Sequence, residues 1–136
     1  MDLRSLIVPR VLVHAHCDIP CGIYDPTAAK VAADTVAKMV EKITGSTGTD
    51  DASRNTFIRS VYVKEEHAQI CKKELLILWT DYFKPEHLEK YPKLHETFWK
   101  AAKLCSKNKQ SVDVQAAADL QTAVKEISEI FWATKK

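Results

Sequence analysis

Apolar side chains recur at alternating spacings of three and four residues in four separate segments of this 136-residue chain. That spacing is the period of one face of an α-helix, whereas a half-buried strand would alternate at every second residue, and no segment does so. The four apolar stripes span residues 36–43, 57–78, 94–105 and 117–131. Because short polar connections separate them, we predict an all-α fold, an antiparallel four-helix bundle.

Capping residues and prolines mark the ends of the predicted helices. Asp25 is expected to cap the first helix with Pro26 at its first helical position, and Gly45 is expected to end it. The second helix is expected to begin near Asn55, and Lys64 interrupts its apolar stripe. The predicted connections are residues 45–53, a short helical turn between two prolines at 82–92, and residues 106–111.

Length and charge favour one domain and exclude two classes of partner. A domain of 136 residues buries enough surface to fold without disulfides. The net charge is +2, and no basic run is interleaved with aromatic residues, so we expect no nucleic-acid partner. No apolar stretch reaches the roughly 18 residues that would span a bilayer, so we expect no membrane partner.

The four cysteines fall into two kinds of surroundings. Cys71 and Cys105 lie on the apolar faces of predicted helices, where a buried, inert thiol is the expected state. Cys17 and Cys21 lie instead in the irregular stretch "HCDIPCGIYDP", residues 16–26, which precedes the first helix. A proline and a glycine between the helix and the first thiol let the chain reverse within a few residues.

The donor atoms of this stretch suit a planar metal site. The Cys-x-x-x-Cys spacing is wider than the Cys-x-x-Cys of zinc knuckles, and the chain has no second ligand pair for zinc. If the chain began at His16, its amine, the Cys17 amide nitrogen and the thiolates of Cys17 and Cys21 would form a roughly coplanar set. Two nitrogens and two thiolates in a plane favour nickel or copper(II), and the His16 imidazole could cap the plane.

Three segments together resemble the nickel-containing superoxide dismutases. "HCDIPCGIYDP" matches every fixed position of that family's nickel hook, H-C-D-x-P-C-G-x-Y-D-P. The stretches "LWTDYFKPEHLEKYPKLH" (78–95) and "IFWATKK" (130–136) are also similar to the family. The resemblance covers nearly all of residues 16–136 and implies a four-helix bundle assembled as a homohexamer.

The resemblance implies a precursor and an activity. Residues 1–15 would be a pro-segment, removed by a maturation protease after Ala15, and residues 16–136 the enzyme, with the hook at 16–24. The enzyme would be cytoplasmic, hold one nickel ion per subunit, and disproportionate superoxide to O2 and hydrogen peroxide. A secretory signal remains an alternative for the N-terminus, although Pro9 and Arg10 split its apolar runs.

The resemblance also implies roles for particular residues. His16 would supply the amine and the axial imidazole, Cys17 an amide and a thiolate, and Cys21 the second thiolate. Two thiolates and an anionic amide would bring the Ni(III)/Ni(II) couple into the range that superoxide chemistry needs. Tyr24 would be the phenol beside the open face of the metal, where it orders substrate or water.

Four further residues are implied to support the site. Asp18 and Pro20 would shape the loop, and Tyr82 and Lys84 would lie near it. Lys84, together with Lys135, would draw the superoxide anion in.

Two positions depart from the family pattern, and two other functions stay open. Family members commonly carry a glutamate at Ala32 and an arginine at His67, which orient the axial imidazole. This chain must orient it differently, and His67 itself could do so. The chain could instead be a nickel or copper carrier that uses the hook without redox turnover. It could also be a helical interaction module in which Cys17 and Cys21 form a disulfide.

Overall fold

The structure, a computed structural model, describes residues 22–135. Within that range the chain forms four long helices, one short helix and one π-helical turn, and no strand. The elements in chain order are α1 (Thr27–Thr44), α2 (Asp51–Ile77), the π-helical turn (Leu78–Tyr82), α3 (Pro85–Lys90), α4 (Leu94–Gln110) and α5 (Val114–Thr134). Helix α1 packs against α2 and α5, and α4 packs against the same two helices. The predicted four-helix bundle is confirmed.

The core lies where the apolar stripes of the four long helices meet. Along most of their length the long helices turn their stripes inward and their charged residues outward, because burying apolar surface is the main favourable term in folding. The predicted stripe of α2 is wrong at its start, where Phe57 is 42% exposed, and Lys64 is a charged residue buried in the core. The largest buried apolar side chains of the core are those of Val36, Val40, Leu75, Leu94, Phe98, Leu120, Val124, Ile127 and Phe131. None of the helices among residues 22–135 is both long enough and apolar enough to cross a membrane.

Side-chain caps shift the helix ends from their predicted positions. Helix α2 begins at Asp51 rather than near Asn55, because the Asp50 carboxylate accepts a hydrogen bond from the Ser53 amide at 3.0 Å. Helix α1 begins at Thr27, one residue later than predicted, although Asp25 still accepts a 2.7 Å hydrogen bond from the Thr27 amide.

Lys64, which interrupts the apolar stripe of α2, is a buried cap for another helix. The residue is 2% exposed, and its ammonium donates hydrogen bonds to three backbone carbonyls, those of Asn108, Lys109 (3.2 Å) and Ser111 (3.1 Å). These carbonyls lie at the C-terminus of α4, where no helical amide can reach them and the helix dipole favours a cation. Helix α4 therefore continues to Gln110, through most of the predicted connection.

The Cys71 and Cys105 thiols are both buried, as predicted. Cys71 on α2 and Cys105 on α4 are free and fully buried. A hydrogen bond shared with Cys105, together with burial, raises the pKa of the Cys71 thiol. Because the thiolate is the reactive form, Cys71 is inert as placed.

Candidate metal centre

The predicted ligands precede the described part of the chain. His16, Cys17 and Cys21 lie outside the described residues, as do Asp18 and Pro20, so their arrangement stays a prediction. The description begins at Gly22, directly after Cys21, and Gly22 has a φ of +66°. This left-handed conformation is open to glycine and disfavoured for residues with a Cβ, so the glycine lets the chain turn toward α1.

Tyr24 ends the predicted hook and is anchored in the bundle. Its side chain is 6% exposed and belongs to the same buried cluster as the helix core. The ring packs against Tyr82, with centroids 5.7 Å apart and planes tilted by 56°. Two aromatic residues from distant parts of the sequence, both predicted near the site, are thus brought together.

Tyr82 is held from several sides at the end of the π-helical turn. Its ring lies 4.4 Å from that of Phe131 and stacks on the His87 imidazole, with centroids 5.8 Å apart and planes 17° apart. Its hydroxyl shares a 3.1 Å hydrogen bond with the Thr134 hydroxyl. Such packing restricts the rotamers of the Tyr82 side chain, so its ring forms a rigid wall, that is, a fixed packing surface, beside Tyr24.

The π-helical turn sets the position of Tyr82. The turn is closed by a 3.2 Å hydrogen bond from the Phe83 amide to the Leu78 carbonyl, which spans one residue more than an α-helical bond. Trp79 anchors the turn, since its indole N–H donates to Nδ1 of His95 at 2.7 Å and its ring stacks on Phe98. Turns of this kind often occur at functional sites.

The C-terminal end of α5 contacts the base of the hook directly. The Lys135 ammonium donates a 2.8 Å hydrogen bond to the backbone carbonyl of Tyr24. The same ammonium lies 5.1 Å from the Phe131 ring centroid and 5.4 Å from that of Trp132. Sequence reasoning missed Thr134 entirely and treated Lys135 only as a guide for superoxide, because no periodicity reports a contact across 111 residues.

Asp25 adds a negative charge next to this contact. Hydrogen bonds from the Thr27 side chain and backbone, with a smaller contribution from the Lys135 charge, lower the pKa of Asp25. The carboxylate is therefore ionised at neutral pH.

Lys84 lies at the surface, at the start of α3. It is the N-cap residue of that helix, and its amide donates a 3.1 Å hydrogen bond to Nδ1 of His87. The side chain belongs to an exposed residue two positions after Tyr82. Its backbone thus also fixes the imidazole that stacks on Tyr82.

The two positions that depart from the family pattern lie on neighbouring helices. Ala32 is buried in α1, and His67 is half-buried in α2. Nδ1 of His67 donates to the Val63 carbonyl of its own helix at 3.0 Å, which leaves Nε2 as the acceptor in a neutral ring. Within residues 22–135, no three His, Cys, Asp or Glu side chains come close enough to share a metal ion.

Comparison with known proteins identifies the family. The nickel-containing superoxide dismutase family matches residues 11–135. Proteins named superoxide dismutase [Ni] from Streptomyces coelicolor and Streptomyces seoulensis are each 41% identical over 134 residues, which is 98% of this chain and 98% of each relative.

Solved structures agree with this match. The native 1.30 Å structure of a nickel superoxide dismutase superposes with a TM-score of 0.77 at 39% identity, over 89% of this chain and 100% of that one. A nickel-containing superoxide dismutase with nickel ligation corresponding to the oxidised state gives a TM-score of 0.77 at 40% identity, over 88% of this chain and 98% of that one. This chain belongs to the nickel-containing superoxide dismutase family.

Proposed function

We propose that this chain performs the reaction for which its family is named, the conversion of superoxide to dioxygen and hydrogen peroxide, at a nickel ion held by His16, Cys17 and Cys21. The observation that carries this proposal is the family match over residues 11–135, which includes the complete hook sequence. The Tyr24–Tyr82 pair supports it from the structure, since it fixes the base of that hook to the bundle.

The donor chemistry of the hook fits nickel. Thiolates are soft ligands, and two of them with an amine and an amide nitrogen suit a planar nickel site. When bound, nickel supplies the one-electron couple, Ni(III)/Ni(II), that both halves of superoxide disproportionation need. The chain supplies the ligands from His16, Cys17 and Cys21, and Asp18 and Pro20 would shape the loop between them.

The described residues contribute a rigid wall and a source of positive charge. Tyr24 is buried and packed against Tyr82, so its phenol would order substrate or water at the site without a rotamer search. Lys84 is exposed near Tyr82, where its ammonium would attract the superoxide anion.

Residues 1–15 would be a pro-segment that must be removed. With Ala15 attached, the His16 nitrogen is a peptide amide rather than an amine, so the hook lacks one of its donors. The comparisons support this division, because the curated relatives match 98% of this chain, whereas the native solved chain, matched over its whole length, covers only 89%. A protease that cleaves after Ala15 would therefore be a partner.

Assembly as a homohexamer in the cytoplasm completes the proposal. Trp99 and Trp132 are 55% and 50% exposed, and such large exposed aromatic residues are typical of interfaces. Free Cys71 and Cys105 fit a reducing compartment. The comparisons do not support a carrier role, since the relatives carry the name of the enzyme.

The test combines composition with activity. Protein matured in its own host should contain one nickel per chain and have a mass that begins at His16. Stopped-flow measurement of superoxide decay should show rapid consumption by this material, with the metal-free protein as the control. Nickel-loaded protein that begins at His16 and consumes superoxide no faster than the metal-free form would refute the proposal, and so would a Cys17–Cys21 disulfide in the matured protein.

A further inference from the structure

We propose that Lys135 is a positioning residue, which clasps the base of the hook to the C-terminus of α5 and so holds the nickel ligands in register. This inference rests on the proposed function of residues 16–21. It assigns Lys135 a different task from guiding superoxide.

The geometry of the contact carries the proposal. The Lys135 ammonium donates a 2.8 Å, partly buried hydrogen bond to the Tyr24 carbonyl. Its approach to the Phe131 and Trp132 ring centroids, at 5.1 and 5.4 Å, adds cation–π attraction and limits where the ammonium can lie. Lys135 is an exposed residue, yet its ammonium binds the backbone carbonyl of Tyr24.

A second link joins the same two parts of the chain. The Thr134 hydroxyl lies 3.1 Å from that of Tyr82, and the Tyr82 ring packs against Tyr24. Two consecutive residues at the end of α5 therefore fix both members of the aromatic pair. One holds the backbone of Tyr24, and the other holds the side chain that packs against it.

The clasp lies close enough to the predicted ligands to affect them. Tyr24 is three residues after Cys21, a distance of at most about 10 Å along a fully extended chain. Displacement of the Tyr24 carbonyl would move the chain on the ligand side of Gly22. Catalytic and metal-binding groups lose function when their supports shift by about 1 Å, so loosening the clasp should weaken nickel retention.

The experiment compares two lysines of α5 and its C-terminus in matured, nickel-loaded protein. Lys135→Met removes the donor, Lys135→Arg keeps a donor, and Lys125→Met is the matched control. Lys125 is an exposed residue of α5 whose ammonium lies 4.0 Å from the Glu129 carboxylate. Nickel release into excess chelator is followed through the sulfur-to-nickel charge-transfer absorption, and superoxide turnover is measured at low and high salt.

We expect Lys135→Met to release nickel about tenfold faster than the wild type, since a hydrogen bond from a charged donor is worth about that factor. Lys135→Arg should stay within about twofold of the wild type, and Lys125→Met should match it. The activity lost in Lys135→Met should be the same at both salt concentrations, because positioning does not depend on screening.

Two results would overturn the clasp. One is a release rate in Lys135→Met equal to that of Lys125→Met. The other is an activity loss in Lys135→Met that disappears at high salt, which would mark Lys135 as an electrostatic guide. If Lys135→Met does not fold by circular dichroism, Lys135→Leu, which also lacks a donor, takes its place under the same criteria. Absence of the charge-transfer band in the wild type would instead refute the proposed nickel site.

Discussion

Replacing Lys64 by methionine should destabilise the bundle by about 2 kcal/mol. Methionine keeps most of the apolar stem but removes the ammonium that caps α4 through the carbonyls of Asn108, Lys109 and Ser111. Hydrogen bonds from a charged donor are worth about 1.5–3 kcal/mol each, so the three lost bonds exceed the several kcal/mol recovered by no longer burying an ammonium. At about 4 °C per kcal/mol for a domain of this size, the melting temperature should fall by about 8 °C.

The stability difference between the wild type and Lys64→Met should also depend on pH. Burial lowers the pKa of Lys64 below its ordinary value of 10.5. Between the folded and unfolded pKa values the unfolded chain binds a proton that the folded chain does not, so stability rises with pH in that window. The methionine variant lacks the group, and the stability gap between wild type and variant should therefore widen as the pH approaches 10.5 from below.

The measurement is urea unfolding of metal-free protein by circular dichroism, at one fixed chain concentration and at several pH values. Lys72→Met is the matched control, since Lys72 also joins α2 to α4 but by a single hydrogen bond, to the Ser106 hydroxyl at 3.1 Å. Equal stability of Lys64→Met and Lys72→Met would refute the capping role, and a gap that narrows with rising pH would show that folding raises the pKa of Lys64.

Three further predictions concern the hook and the assembly. Serine at Cys17 or Cys21 should abolish the sulfur-to-nickel absorption and superoxide turnover, because a hydroxyl donates too little electron density to nickel to replace a thiolate. The helical circular dichroism should stay intact. An active serine variant that kept the absorption would contradict the ligand assignment. Nickel-loaded protein that begins at Met1 should be inactive beside a form cleaved to begin at His16, as assayed with the mass confirmed afterwards; equal activity would show that the amine is not a ligand. Light scattering should give six chains per particle at micromolar concentration, whereas a stable monomer would count against the hexamer.

Local patterns were sufficient for the bundle, whereas the arrangement of the hook residues stays a prediction. The stripes of α1, α4 and α5 and the Cys71 and Cys105 thiols follow from spacing alone, because amphipathic periodicity reports directly on burial. The resemblance placed Tyr82 near the site but did not predict its contact with Tyr24, since neither residue carries a local signal for the other.

The contacts that were not foreseen join residues far apart in sequence. In the sequence, Lys64 only interrupts an apolar stripe. The structure shows that the C-terminus of α4 lies beside it and that its ammonium caps that helix. In the sequence, Lys135 is one of several charges near the C-terminus. The packing of α5 against α1 brings the Lys135 ammonium to the Tyr24 carbonyl. A one-dimensional pattern contains neither the end of a partner helix nor the distance between two termini.

The π-helical turn makes the site sensitive to the length of the chain as well as to the identity of individual residues. A π-turn holds one residue more than the α-turn it replaces, and each helical residue rotates those that follow by about 100°. Deleting any one of residues 78–81 would let α2 continue as a regular helix but would turn the Tyr82 ring away from Tyr24. Substitutions at the exposed Thr80 should be tolerated, whereas a one-residue deletion there should separate the two tyrosines without unfolding the bundle.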